Sequence, residues 1–117
     1  MALFLENFAK QQSKSVYLVK NEILMIEAYD LNKQRAESLT HLKKAAELCQ
    51  TTSTWRKQNI NTANEECDNK LAHTNMEIAK KWWDLWNKNK TATEAKTLAD
   101  YTRQVFELHL ANENMAQ

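Results

Sequence analysis

The chain has 117 residues, of which 43% are hydrophobic and 26% are charged, and it contains no glycine and no proline. Its 16 basic and 15 acidic residues leave a formal net charge of +1, so it has no overall charge that would attract nucleic acid. Because glycine-dependent turns are excluded, the composition predicts an all-α fold. We expect one helical domain over residues 1–117, with short connections of Asn, Thr, Ser or Asp.

The first segment, residues 1–12, carries four apolar side chains and leaves two alternatives open. Leu3, Phe4, Leu5 and Phe8 suit a short amphipathic helix or a docking arm, and the other alternative is a frayed terminus. The segment has no basic lead and contains Glu6, so we do not expect a secretory signal. No apolar run approaches the ~20 residues that span a bilayer. We therefore expect a cytoplasmic protein without a membrane span.

The first long helix is predicted over residues 14–50, with Ser13 or Ser15 as its N-cap. Its apolar residues form two partly overlapping faces, which indicates two neighbouring helices. The first face comprises Val16, Val19, Ile23 and Ile26 and continues to residues 30–33, and the second comprises Leu18, Met25, Tyr29, Ala36, Leu39, Leu42, Ala46 and Cys49. The hydroxyl residues at 51–54 predict the turn that ends this helix.

The second long helix is predicted over residues 54–89 and the third over 92–113. Thr91 and Glu94 have the spacing of a capping box, which predicts that a helix begins there. The seam of the second helix comprises Ile60, Ala63, Cys67, Leu71, Thr74, Ile78, Trp82 and Leu85.

These elements predict two long antiparallel helices plus a shorter third one, as a three-helix bundle or an extended helical hairpin. The third helix covers only half of the other two, so the end with the turn at 51–54 would protrude. Two helices alone rarely bury enough apolar surface, and we expect a second copy to cover this end, giving a homo-oligomer.

The two cysteines are expected to be free and buried. If straight helices run back from the turn at 51–54, Cys49 and Cys67 lie about 18 Å apart, which is too far for a disulfide.

The residue pattern points away from enzymatic chemistry. The sequence has no glycine-rich phosphate loop and no metal-binding spacing of His or Cys, so we expect a non-enzymatic protein without a cofactor or a metal. The one geometric hint of a two-ligand site is His73 and His109, which the predicted pairing of helices two and three would bring together.

Three tryptophans in the second helix form an aromatic surface, Trp82, Trp83 and Trp86. Adjacent side chains on a helix point about 100° apart, so Trp82 and Trp83 cannot both face one seam, and we expect one of them to be exposed or at an edge. Either the cluster fills the core beneath the third helix, with Trp83 against the N-terminal segment, or part of it docks on a partner.

The third helix carries a family resemblance. Thr93-Glu94-Ala95, Leu98, Tyr101, Arg103, Phe106 and Glu107, entered through Asn89-Lys90-Thr91, resemble the C-terminal segment of phasins, over roughly residues 90–111. Phasins are small all-helical cytoplasmic proteins that coat polyhydroxyalkanoate storage granules in bacteria. The resemblance implies a protein that covers the apolar polyester with amphipathic helix faces.

The first functional hypothesis is therefore a phasin-like coat of polyhydroxyalkanoate granules. The alternative is a helical-bundle adaptor, chaperone or inhibitor that binds a protein partner through its aromatic surface. In both cases the expected interface comprises Ile78, Trp82, Trp83, Leu85, Trp86, Leu98, Tyr101, Val105 and Phe106.

Overall fold

The computed structural model describes residues 16–91 and 93–116, with side chains through residue 111. These residues form helices and turns and no strand, which confirms the predicted all-α class. The helices are α1 (Leu18–Leu31), α2 (Arg35–Leu48), α3 (Thr54–Gln58), α4 (Ile60–Glu65), α5 (Ala72–Lys88) and α6 (Ala95–Ala116), and a π-helical segment, Glu66–Leu71, joins α4 to α5. The predicted N-terminal arm over 1–12 and the predicted caps Ser13 and Ser15 lie outside the described residues.

The helix predicted over 14–50 is two helices, α1 and α2, separated by a turn at residues 32–34. Lys33 adopts a φ of 61°, in the left-handed region that glycine usually occupies. The Lys33 amide donates to the Asp30 carbonyl (3.0 Å) and the Gln34 amide donates to the Tyr29 carbonyl (2.9 Å). This is the hydrogen-bond pattern of a Schellman motif, which ends a helix and reverses the chain.

Contacts between α1 and α2 show that the two helices are antiparallel. The Ser38 hydroxyl donates to the Ile26 carbonyl (2.9 Å), and further from the turn the His41 Nδ1 lies 2.6 Å from the Glu22 Oε2. All four residues are in the hairpin's interface, and Ser38 is fully buried. The first long helix of the prediction is therefore a folded helical hairpin.

The helix predicted over 54–89 is also interrupted. It begins at Thr54, where the Ser53 hydroxyl caps α3 by accepting from the Arg56 amide (3.0 Å). Asn59, with φ −133° and ψ 47°, then breaks the helix after one turn. From Ile60 the chain is helical up to Lys88, through the π-helical segment.

The turn before the last helix lies where it was expected, but α6 begins at Ala95 rather than at residue 92. α5 and α6 pack extensively against each other, with the Trp82 ring 6.4 Å from the Tyr101 ring. The observed architecture is thus two helical hairpins, α1/α2 and α5/α6, packed on one core, and the arrangement of two long helices plus a shorter third is not seen. The core comprises Leu18, Val19, Ile23, Met25, Ile26, Leu39, Leu42, Ala45, Cys49, Trp55, Ala63, Cys67, Leu71, Ile78, Ala79, Trp82 and Val105.

The prediction of free cysteines is wrong. Cys49 and Cys67 form a disulfide across a Cα–Cα distance of 5.5 Å. The predicted separation assumed a straight helix from residue 54, whereas the break at Asn59 redirects the chain and brings the π-helical segment to the end of α2. Trp55 of α3 is buried beneath this connection, so the expected protruding two-helix end is replaced by packed chain.

Arg56 fixes the same connection. Its guanidinium donates to the Cys49 carbonyl (2.7 Å) and to both carboxylate oxygens of Asp68 (2.9 and 3.1 Å). The carbonyl at the end of α2 is therefore satisfied by a cation, which also favours the negative end of the helix dipole. The disulfide and this arginine together hold α3 and the π-helical segment against α2.

Candidate functional site

The adjacent tryptophans of α5 have opposite environments, as the helical geometry predicts. Trp82 is fully buried, whereas 48% of Trp83 is exposed. The Trp82 indole donates to the Asp30 Oδ1 (2.7 Å), while the Lys81 ammonium lies 2.7 Å from the Asp30 Oδ2. This carboxylate connects the two hairpins, because Asp30 is in α1 and its partners are in α5. It also fixes the rotation of α5 so that Trp83 faces outward.

An apolar groove of about 310 Å³ lies between α5 and α6 where Trp83 emerges. The Trp83 and Trp86 rings form one wall, with centroids 5.3 Å apart and planes inclined at 41°. Phe106 and Leu110, one turn apart, line the α6 side. The full lining is Trp83, Trp86, Ala99, Thr102, Arg103, Phe106, Glu107 and Leu110.

Charged side chains border the groove. The Lys90 ammonium lies 4.9 Å from the centre of a Trp86 ring, within cation–π range. Arg103 contacts Asp100 and Glu107 on its own helix, both at 2.6 Å. Hydrogen bonds from Arg103 and then Gln104 lower the pKa of Asp100, and the Asp100 and Glu107 carboxylates raise the pKa of Arg103. An apolar floor with a paired, charged edge is the usual composition of a protein-binding patch.

The structure divides the nine predicted interface residues into three groups. Ile78, Trp82 and Val105 are buried in the core. Leu85, Leu98 and Tyr101 are partly buried and pack against that core. Trp83, Trp86 and Phe106 line the groove, and Phe106 also contacts the core. Only the last group lines this groove, whereas Ile78 lines a cavity beside Asp30 and Lys81. Leu98 and Tyr101 line another cavity, beside Lys33.

Several groove residues were not among the predicted ones. Leu110, with 57% exposure, is the main addition, together with Ala99, Thr102, Arg103 and Glu107. Leu110 follows Phe106 by four residues, so the helical spacing could have found it. The concave shape could not be read from that spacing, because it depends on how α5 and α6 are rotated against each other.

Two of the three histidines lie beside a carboxylate. His73 is exposed and lies 3.8 Å from Glu77, one turn along α5. His41 is buried in the α1/α2 hairpin, paired with Glu22 and stacked on the Tyr29 ring at 5.4 Å. Among the described residues no group of three or more His, Cys, Asp or Glu side chains could hold a metal ion.

Within the part of the chain that the structure describes, none of the helices is sufficiently long and apolar to cross a bilayer. Comparison of the chain with protein-family models, with curated proteins and with solved structures finds no match.

Proposed function

We propose that this chain is a non-enzymatic helical adaptor or inhibitor that binds a partner protein in the groove between α5 and α6. The observation that carries the proposal is the pair of indoles, Trp83 and Trp86, held on rigid helices beside Phe106 and Leu110. Tryptophan in a concave, apolar site is the commonest binding hot spot, because it removes a large area from water at a small entropic cost. The groove's volume suits one or two apolar side chains of an amphipathic helix.

The disulfide favours this function over the granule coat. Disulfides persist in oxidising compartments and are rare in the cytosol. Polyhydroxyalkanoate granules lie in the bacterial cytoplasm, where the resemblance to phasins would place the protein. The Cys49–Cys67 bond therefore favours a partner met in an oxidising compartment.

The phasin-like coat is the second candidate, supported by exposed apolar side chains outside the groove. Leu24 and Leu31 on α1 are 41% and 77% exposed, and Ile60 on α4 is 62% exposed. A coat protein adsorbs in proportion to the apolar area that it covers, at ~25 cal/mol per Å², so scattered residues would add to its affinity. A groove-binding adaptor gains nothing from them.

One experiment separates the two functions. Peptides that bind the immobilised full chain are selected from a displayed library of amphipathic helices, and the protein is sedimented with polyester granules and with hydrophilic beads. The adaptor function predicts a one-to-one peptide complex that Trp83→Ser weakens by about 30-fold, a typical hot-spot effect of ~2 kcal/mol. Leu31→Ser is the matched control, because it removes an exposed apolar residue away from the groove.

Sedimentation with granules tests the second candidate, the phasin-like coat. Saturable sedimentation with granules that Leu31→Ser and Trp83→Ser weaken to similar extents would support the coat and contradict the adaptor. Peptide binding that Trp83→Ser leaves unchanged would also contradict the groove as the site.

The homo-oligomer stays a prediction, but the argument for it from a protruding end no longer applies. It rested on a protruding end at residues 51–54, where the structure instead places the buried Trp55 and the disulfide. Sedimentation equilibrium at micromolar concentration measures the mass directly, and a monomer mass would contradict the prediction.

A further inference from the structure

We propose that the chain's own N-terminal residues 3–8 occupy the groove and compete with the partner for it. The inference rests on the proposed function, since it names how access to the same groove is regulated. Leu3, Phe4, Leu5 and Phe8 are the only strongly apolar cluster among residues 1–15, which lie outside the described residues. Compared with the cavities beside Asp30 and beside Lys33, the groove has a lower share of polar lining, which suits such a cluster.

The direction of the helices places the start of α1 near one end of the groove. Near its end, α1 contacts Lys81 and Trp82 through Asp30, and α1 also contacts the π-helical segment, which precedes α5. It therefore runs parallel to α5, with Leu18 toward the π-helical segment. α6 runs the opposite way and reaches the same segment. The Leu110 end of the groove and the point where the N-terminal residues leave the bundle are thus at the same end of the molecule.

The tether is long enough to fill the groove. Fifteen residues span about 50 Å when extended, at ~3.3 Å per residue, and the longest dimension of the described structure is 47 Å. Of this length, residues 9–15 supply about 23 Å, which is half of the longest dimension and carries residues 3–8 from the start of α1 to the Leu110 end of the groove.

The spacing of the N-terminal aromatic residues fits the groove. Phe4 and Phe8 are four residues apart, as Phe106 and Leu110 are on α6. In a helical conformation Phe4, Leu5 and Phe8 share one face, which is the pattern of anchors that an apolar groove recognises. Glu6 is the only acidic residue of this segment, and Lys90 borders the groove next to Trp86.

Tethering favours the chain's own segment over that of a second copy. A short flexible linker gives a local concentration in the millimolar range, about a thousand times that of a micromolar solution of chains. A weak apolar contact is therefore saturated within one chain while it stays negligible between chains.

Acrylamide quenching of tryptophan fluorescence tests the proposal. Trp55 and Trp82 are buried, with 4% and 0% exposure, so quenching reports on Trp83 and Trp86. We expect quenching to rise by about twofold in Phe4→Ser/Phe8→Ser, because a docked apolar segment excludes solvent from the rings. Leu31→Ser is the matched control and should leave quenching unchanged. Equal quenching in the wild type and in Phe4→Ser/Phe8→Ser, the arm variant, would overturn the proposal.

Photo-crosslinking identifies the occupant. With Phe8→p-benzoylphenylalanine in the full chain, a cross-link to residues 83–86 or 99–110 within a monomer supports the proposal. Cross-links found only between two chains would overturn it in favour of a second copy.

Peptide binding separates failure of this proposal from failure of the proposed function. The arm variant should bind the selected peptide about 10-fold more tightly, since its groove is no longer occupied by a tethered competitor. If Phe4→Ser/Phe8→Ser changes neither quenching nor peptide affinity, while Trp83→Ser still weakens peptide binding, the N-terminal segment does not occupy the groove. The proposed function would then stand. The opposite result is higher quenching in Phe4→Ser/Phe8→Ser together with a peptide affinity that Trp83→Ser leaves unchanged. It would refute the proposed function, while the N-terminal segment would still be shown to occupy the groove.

Discussion

The turn between α1 and α2 depends on a lysine in a conformation that favours glycine. Lys33 has a φ of 61°, and the chain contains no glycine. In this region of φ a residue with a Cβ is strained by roughly 1–2 kcal/mol. Glycine avoids this strain but loses ~0.5–1 kcal/mol more conformational entropy on folding. The native residue therefore lowers the stability of the hairpin.

Lys33→Gly should raise the free energy of unfolding by about 0.5–1 kcal/mol, measured by urea denaturation. Lys33→Ala is the control, because alanine keeps the Cβ and gains nothing from the change. Equal stabilities of the glycine and alanine variants would contradict the left-handed conformation at this position.

Asp30 shows how one buried carboxylate can serve two donors. It accepts from the fully buried Trp82 indole and from Lys81, whose side chain is half exposed. The two partners should contribute unequally, because solvent screens the half-exposed Lys81 ammonium, whereas the Trp82 N–H would be left buried without an acceptor.

Asp30→Ala should therefore lower the free energy of unfolding by about 2–3 kcal/mol, since it leaves the Trp82 N–H buried without this acceptor. Lys81→Ala should cost less than ~1 kcal/mol. Thermal or urea unfolding measures both, and similar losses in the two variants would contradict the assigned roles.

At the level of the elements, the disulfide and Arg56 stabilise the irregular connection from α2 to the π-helical segment. The helices here are short, with five residues in α3 and six in α4, so local propensity contributes little. The Cys49–Cys67 bond closes a loop with a sequence separation of 18.

Loss of the disulfide should lower the free energy of unfolding by about 3 kcal/mol, the loop-closure value for this length. The comparison is wild type against Cys49→Ser/Cys67→Ser, each with and without dithiothreitol in urea. Reductant should shift the wild type toward the variant and leave the variant unchanged. A wild type insensitive to reductant would contradict the bond.

In the whole molecule, adjacent residues of one helix belong to the core and to the groove. Trp82 contributes to the core that both hairpins share, and Trp83 contributes to the groove on the outer face of α5 and α6. The groove can therefore be changed without changing the fold.

Trp82→Ala should cost about 3–5 kcal/mol of stability, as large aromatic truncations in a core do. Trp83→Ser should change stability by less than ~1 kcal/mol, while it abolishes most of the peptide binding. Urea unfolding and a peptide titration on both variants check this. A large loss of stability in Trp83→Ser would show that the residue belongs to the core.

The helical class, the capped turn at Ser53 and the opposite environments of Trp82 and Trp83 were predictable because each follows from composition or from helical spacing. Of the predicted interface residues, Trp83, Trp86 and Phe106 line the groove, and helical spacing did not show which of the other six the core would bury.

The helical conformation of the described residues follows from composition alone, because a chain without glycine and proline and rich in helix-forming residues has little else to adopt. The breaks in the long helices, the contact of Cys49 with Cys67 and the concave shape of the aromatic face follow from packing instead. Each of these depends on residues distant in sequence, such as Asp30 with Trp82, and a local pattern carries no information about contacts that only packing creates.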